Sequence, residues 1–335
     1  MPNHTPKKID SLNAKSYHIN IIISSSFIMP QSLGTRDYLK EFYKLDFNDR
    51  QEPGNELMLN QLGYFMFDVL RLDAYTSNMH IVNNLYKADK IYLFGSYSYV
   101  YAALEALIEN GLQEQVIMLD IEINNWDSIY ISWKLFSHFT NLKLLYIDGC
   151  NSATANKNKS IPDITAYLPK SLEALSIVNM PYYNQPFSNQ LSTSNIKVIK
   201  LLTITFRQEI SNLPLTLETL IIESGEFNQR MENLPSSLKH LILLCPKFNM
   251  PLDNLPHGLE YFAGLYFNCF SYPEDYYGLE IVNLPSSIKS VLLDKNLYDK
   301  QYTNLASTYT DCKIEWYDDF NNFDFIFKNL LARME

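Results

Sequence analysis

The sequence predicts a repeat solenoid with one parallel β-sheet face, and three observations carry that expectation. The stretch FNQRMENLPSSLKHLIL, Phe227 to Leu243, returns as FNMPLDNLPHGLEYFAG, Phe248 to Gly264, with its Phe-Asn and Leu-Pro pairs at the same offsets. The pattern apolar-x-x-apolar-x-apolar recurs as LEALSI from Leu172, LETLII from Leu217, LKHLIL from Leu238, LEYFAG from Leu259 and IKSVLL from Ile288. A Leu-Pro pair ends just before each copy, at Pro169, Pro214, Pro235, Pro256 and Pro285. Weaker copies begin at Phe67, Ala88, Val116, Leu142 and Ile196, which makes about ten units, and self-similarity at such short and regular spacing is the signature of stacked coils.

Each repeated residue has a physical task. The middle apolar position falls at Leu70, Ile91, Leu119, Leu145, Leu175, Ile199, Leu220, Leu241, Phe262 and Val291, and these are expected to stack in register as neighbouring parallel strands. The shortest steps, such as Leu220 to Leu241 and Leu241 to Phe262, alternate with longer ones, such as Leu145 to Leu175, so the extra residues loop out between strands. Side chains alternate along a strand, which points Leu241 and Leu243 into the coil and His240 and Ile242 out of it. Proline at 235 fixes φ, biases Leu234 toward extended geometry and lacks the N–H a central strand needs, so it marks a corner. Phe227 is the wedge behind the strand layer, and Asn228 can satisfy backbone groups that a tightly turning coil would leave unpaired.

The ends of a solenoid need covers, since an open coil exposes apolar surface and strand edges. Residues 1–60, with a strand candidate in HINIIISSSFIM (His18 to Met29) and a helix candidate in Asp37 to Leu45, are expected to cap the solenoid of residues 61–300. Residues 301–335 are expected to supply a terminal strand holding Cys312, and then a capping helix. There Phe320, Phe323, Phe327, Leu330, Leu331 and Met334 recur at helical spacing.

The outward strand positions divide the sheet. Arg71, Tyr92, Asp120, Tyr146, Ser176 and Lys200 are polar or aromatic, whereas Ile221, Ile242, Ala263 and Leu292 are apolar. The expectation is an exposed apolar strip made of Ile221, Ile242 and Leu292, the kind of surface that marks a contact site. The aromatic-rich insertion Tyr266 to Val282 lies at the same end, with Tyr272, Tyr276 and Tyr277 as candidate anchors for a protein partner or a second copy of the chain. An insertion that shields the strip within one chain is the competing expectation.

Composition narrows the remaining classes. A net charge of −10 over 335 residues, with no concentrated basic face, argues against nucleic-acid binding. No run approaches the ~20 apolar residues that span a bilayer, so no membrane partner is expected. The four cysteines form no Cys-x-x-Cys pair and read as buried thiols of a cytoplasmic protein. The six histidines show no ligand spacing, and neither a phosphate-cradling loop nor a nucleophile–base pair is visible, so no metal, cofactor or enzymatic activity is expected. An interaction scaffold is the favoured class, set against an enzyme whose site is scattered across coils.

The motifs YNQPFSN (Tyr183 to Asn189), FNQRMENLPSSLKHL (Phe227 to Leu241), FNMPLDNLPHGLEYF (Phe248 to Phe262) and NLPSSIKSVL (Asn283 to Leu292) resemble the FNIP repeats, a variant of the leucine-rich repeat. That resemblance covers residues 168–293 and implies leucine-rich-repeat-like coils that bind protein. It is a family of amoebae and the large DNA viruses that infect them, in which many members carry an F-box and look like ubiquitin-ligase adaptors. Residues 1–60 lack the Leu-Pro opening and the helix pattern of an F-box, so the adaptor role stands as the alternative to a plain scaffold.

Overall fold

The computed structural model describes residues 20–22, 70–73, 90–125, 133–149, 161, 163–180, 182–264, 281 and 283–317. They build one 12-stranded sheet whose spatial order follows chain order. The strands are β1 (Asn20–Ile22), β2 (Leu70–Asp73), β3 (Lys90–Ser96), β4 (Met118–Asn125), β5 (Leu144–Asp148), β6 (Ala174–Val178), β7 (Val198–Leu202), β8 (Thr219–Glu223), β9 (His240–Leu244), β10 (Tyr261–Gly264), β11 (Ser290–Asp294) and β12 (Lys313–Tyr317). From β2 onward every neighbouring pair is parallel, while β1 pairs antiparallel with β2.

The expected register holds at every repeat strand. Leu70 pairs with Ile91, Ile91 with Leu119, and the series runs through Leu145, Leu175, Ile199, Leu220, Leu241, Phe262 and Val291 to Ile314. The chain is therefore a leucine-rich-repeat-like solenoid with one continuous strand layer. Its core is the row of inward side chains, such as Leu220, Ile222, Leu241 and Leu243, packed against the corner leucines Leu217 and Leu238.

Behind the regular coils stands an aromatic spine. The rings of Phe187, Phe206, Phe227 and Phe248 stack at centroid spacings of 5.8, 6.0 and 5.9 Å, and the last pair is within 3° of parallel. One ring per coil fills the volume that a short back cannot fill with a helix. The corner before three of the five Leu-Pro pairs has its own device, because Asn212, Asn233 and Asn283 occupy the left-handed region at φ 60°, 60° and 59°. Asn is among the few side chains that tolerate this conformation.

Side chains also stitch one coil to the next. The Asn228 side-chain oxygen accepts from the Asn249 N–H at 3.0 Å, the role expected of Asn228, and Asn184 receives the Arg207 N–H at 2.9 Å in the same way. Hydroxyls of Ser171, Thr216, Ser237 and Ser287 donate to the carbonyls of Leu142, Ile196, Leu217 and Leu259, each in the preceding coil. These bonds satisfy corner carbonyls that have no strand partner.

Among the described residues, two α-helices interrupt this plan, and neither is foreshadowed by the repeat pattern. Helix α1 (Tyr97–Glu109) follows β3 and packs Val100, Leu104 and Leu107 on the core side of the sheet. It stops at Gly111, whose φ of 70° suits glycine, with the Leu112 N–H returning to the Leu107 carbonyl at 2.9 Å. Helix α2 (Lys295–Thr308) follows β11 directly. Its first turn is capped by Asp294, whose carboxylate accepts the Leu297 N–H at 3.1 Å, and Leu297 and Leu305 join the same core. The expected terminal strand appears as β12, with Cys312 half-buried at its entrance. The expected helix from Phe320 to Met334, the helix candidate at Asp37 to Leu45, Cys150 and Cys269 lie outside the described residues.

Candidate interaction face

The strand layer has a second face, opposite the core. Its central row runs Asp120, Tyr146, Ser176, Lys200, Ile221, Ile242, Ala263 and Leu292 in direct register from β4 to β11. The structure corrects the expectation that this row is exposed. Ile221 and Ile242 are each 0% accessible and Leu292 is 7% accessible, and Asp120, Ser176 and Lys200 are buried as well. Both described helices pack on the opposite, core side, so the row is not buried by them. Period-two alternation correctly assigns these residues to the outer face, but it does not say whether that face meets water. Tyr272, Tyr276 and Tyr277 lie outside the described residues.

Burial on this face has electrostatic consequences. The Lys200 amine is pushed down to about 7 by its burial, against the opposing pull of the Glu223 charge, while burial raises the Glu223 carboxyl. One row toward the strand starts, Thr219 and His240 share a 2.9 Å hydrogen bond on adjacent strands. Burial lowers the His240 pKa, and the nearby Glu260 charge opposes the shift. At the strand ends, the Asn179 amide donates to the Asp148 carboxylate at 3.0 Å. The central row of the face is thus a desolvated layer of mainly polar residues from β4 to β7 and an aliphatic one from β8 to β11. Among the described residues, no group of three or more His, Cys, Asp or Glu side chains is placed to hold a metal ion.

The repeat pattern conceals a further array at the rim. The residue directly before each strand from β5 to β11 is Lys143, Glu173, Lys197, Glu218, Lys239, Glu260 and Lys289 in seven successive coils. Ion pairs join Lys143 and Lys197 to Glu173 at 3.1 and 3.0 Å, Lys239 to Glu218 at 2.9 Å and Lys289 to Glu260 at 2.5 Å. Burial would raise the Glu173 carboxyl, yet the bonds from Lys197 and Lys143 outweigh it and hold the group below the ordinary carboxylate value. The signal that could have found it is the second letter of the copies LEAL, IKVI, LETL, LKHL, LEYF and IKSV.

Among the described residues, no helix is long and apolar enough to cross a membrane. No family model matches the chain, and no curated protein matches it. Among solved structures, it is similar to CroV588, described as a novel circular LRR protein, with 23% identity over 69% of this chain and a TM-score of 0.43. The match covers 34% of CroV588, so the chain spans about a third of the length of that protein.

Proposed function

We propose that the chain is a non-enzymatic scaffold for protein–protein interaction whose outer strand face receives polypeptide. The observation that supports this reading is the unbroken parallel strand layer, in which one outer side chain per coil stands in direct register from Asp120 to Leu292; the single chain covers this row itself, so a partner would have to displace that cover. An extended parallel sheet presents regularly spaced side chains over many coils, and repeat proteins use such surfaces for binding. The aliphatic half around Ile242 and Leu292 would give contact area, and the polar half around Ser176 and Lys200 would give selectivity. Ile221, Ile242 and Leu292, with Tyr272, Tyr276 and Tyr277 at the same end, remain the proposed contact residues.

The full chain carrying the photo-crosslinker p-benzoylphenylalanine at Tyr146 or Tyr261, both on this face, tests the reading in cells. The expected product is a link from either position to another protein, or to a second copy. That partner should co-purify with the unmodified chain and be lost from a folded Leu292→Asp variant. Links confined to the chain's own peptides, or a partner retained undiminished by the folded variant, would overturn docking on this face.

A further inference from the structure

The alternation of lysine and glutamate along the rim exceeds what stacking alone requires. Seven successive coils carry Lys143, Glu173, Lys197, Glu218, Lys239, Glu260 and Lys289, with no two neighbours of like sign. Their backbones are bonded in the same order: Glu173 N–H to the Lys143 carbonyl at 2.8 Å, Lys197 to Glu173 at 2.8 Å, Glu218 to Lys197 at 2.8 Å, Lys239 to Glu218 at 2.9 Å, Glu260 to Lys239 at 2.8 Å and Lys289 to Glu260 at 2.8 Å. All seven side chains therefore stand in a single file across the strand starts.

A near-perfect repeat has a particular way to misfold. Leu220, Leu241 and Phe262 follow one another at one constant spacing, so β10 could dock on β8 while the coil of β9 loops out. The apolar contacts would distinguish the two pairings weakly, because Leu220 would meet Phe262 in place of Leu241 and Phe227 would keep its place behind the sheet. Closing a loop one coil longer adds little entropy cost, since that cost grows only logarithmically with length. Repeat proteins characteristically fail through such misassembly.

Charge separates the two outcomes. Skipping one coil anywhere in the file sets Lys beside Lys or Glu beside Glu: Lys143 with Lys197, Glu173 with Glu218, Lys197 with Lys239, Glu218 with Glu260, Lys239 with Lys289. Native stacking forms an ion pair at four of the six steps and sets opposite charges in neighbouring coils at the other two, Lys197 to Glu218 and Lys239 to Glu260, whereas a one-coil slip sets like charges together, so modest pair energies count twice where a pair is lost. We propose that the alternating file is a coil-order code, which makes each coil accept its sequence neighbour and reject the next but one.

Disulfide trapping in the full chain reads the slip directly. Leu215 and His257 occupy equivalent exposed corners two coils apart, after Pro214 and Pro256, so Leu215→Cys with His257→Cys can bond when β10 docks on β8. After refolding in oxidising buffer, mass spectrometry should find this bridge several-fold more often when all seven file residues are Gln than with the native file. A file with all seven signs reversed should return it to the native level. Within single variants, Lys239→Glu places three glutamates in a row and should lower the refolding yield more than Lys239→Gln, the gap closing near 1 M salt, where the screening length falls to about 3 Å. Should the Gln file fail to refold, the two Lys239 variants and the reversed file decide. Equal trapping in native and Gln files, a reversed file that behaves like the Gln file, or equal yields for the two Lys239 variants at low salt would each overturn the code.

Discussion

The coils of β8 to β10 and those of β3 to β6 share one sheet and one register, yet they close their backs differently. The first group takes the short, constant step from Leu220 to Leu241 to Phe262 and fills its back with Phe227 and Phe248, stacked at 5.9 Å. The second takes the longer steps from Ile91 to Leu119, Leu145 and Leu175. It fills the corresponding space with α1 and with Trp133, which meets Tyr97 edge-on at 4.9 Å and stacks on Phe136 at 5.2 Å. Register is therefore a property of the strand layer alone, and the back layer is free to vary as long as it is filled. Where every coil is alike, stabilisation passes from neighbour to neighbour. Where a helix intervenes, it stays with a local cluster.

That contrast is open to attack at its strongest point first. Phe227→Ala removes a fully buried inner ring of the spine, contacted on both sides, and should cost ~3–5 kcal/mol in urea unfolding. Phe187 has a spine partner on one side only, so Phe187→Ala should cost less. A larger loss at Phe187 would mean the stack is not the shared support of the regular coils. Ile242→Asp places a charge at a fully buried position of the outer face and should destabilise the chain rather than merely weaken association.

The buried amine between the two regions gives a pH test. With the folded Lys200 near 7 and the unfolded lysine near 10.5, the unfolded chain binds one more proton between those values, so stability rises with pH across that window. The slope from one group is at most about 1.4 kcal/mol per pH unit. Lys200→Met should remove that rise, and the check is the difference between the two proteins' urea midpoints at about pH 7.5 and about pH 9.5, in the same buffers. A difference that stays constant with pH would show that the amine is not desolvated in the folded chain.

Smaller effects sharpen the corner chemistry. Asn233→Val forces a β-branched residue to φ 60° and should cost ~1–3 kcal/mol, whereas Asn233→Gly should sit within a few tenths of the parent in thermal unfolding. Ser237→Ala withdraws a donor 2.7 Å from the carbonyls of both Leu215 and Leu217, a loss of ~1 kcal/mol. Gly258 is the counterpart of Ser237 one coil on, and a Cβ there meets the Ser236 carbonyl at 3.2 Å. Gly258→Ser should change stability least of all, because the tight contact offsets the new hydroxyl bond.

Much of this architecture was legible because the repeat is written in side chains that do the same thing in each coil. Leu-x-Leu gave strand and facing, Leu-Pro gave the corner, and Phe227 and Asn228 gave wedge and stitch. The helices were not legible for the opposite reason: α1 lies inside the long step from Ile91 to Leu119 and α2 after the last counted copy at Val291, where no second copy exists to compare. The face of Ile221, Ile242 and Leu292 was assigned correctly and its exposure wrongly, since exposure depends on what lies above a strand and not on the strand's own pattern. The charged file went unread because each member is ordinary in its own coil, and the regularity exists only between coils.

That file also constrains how such a chain can grow. A solenoid of interchangeable units can lengthen by copying one regular coil, and the strands, spine and corners would accept the newcomer. The file would not, because a duplicated Lys239 coil sets two lysines side by side, whereas copying the Glu218 and Lys239 coils together preserves the sequence of signs. Gene-level expansion or engineered extension of this protein should therefore proceed two coils at a time, with the pair rather than the single repeat as its unit of inheritance.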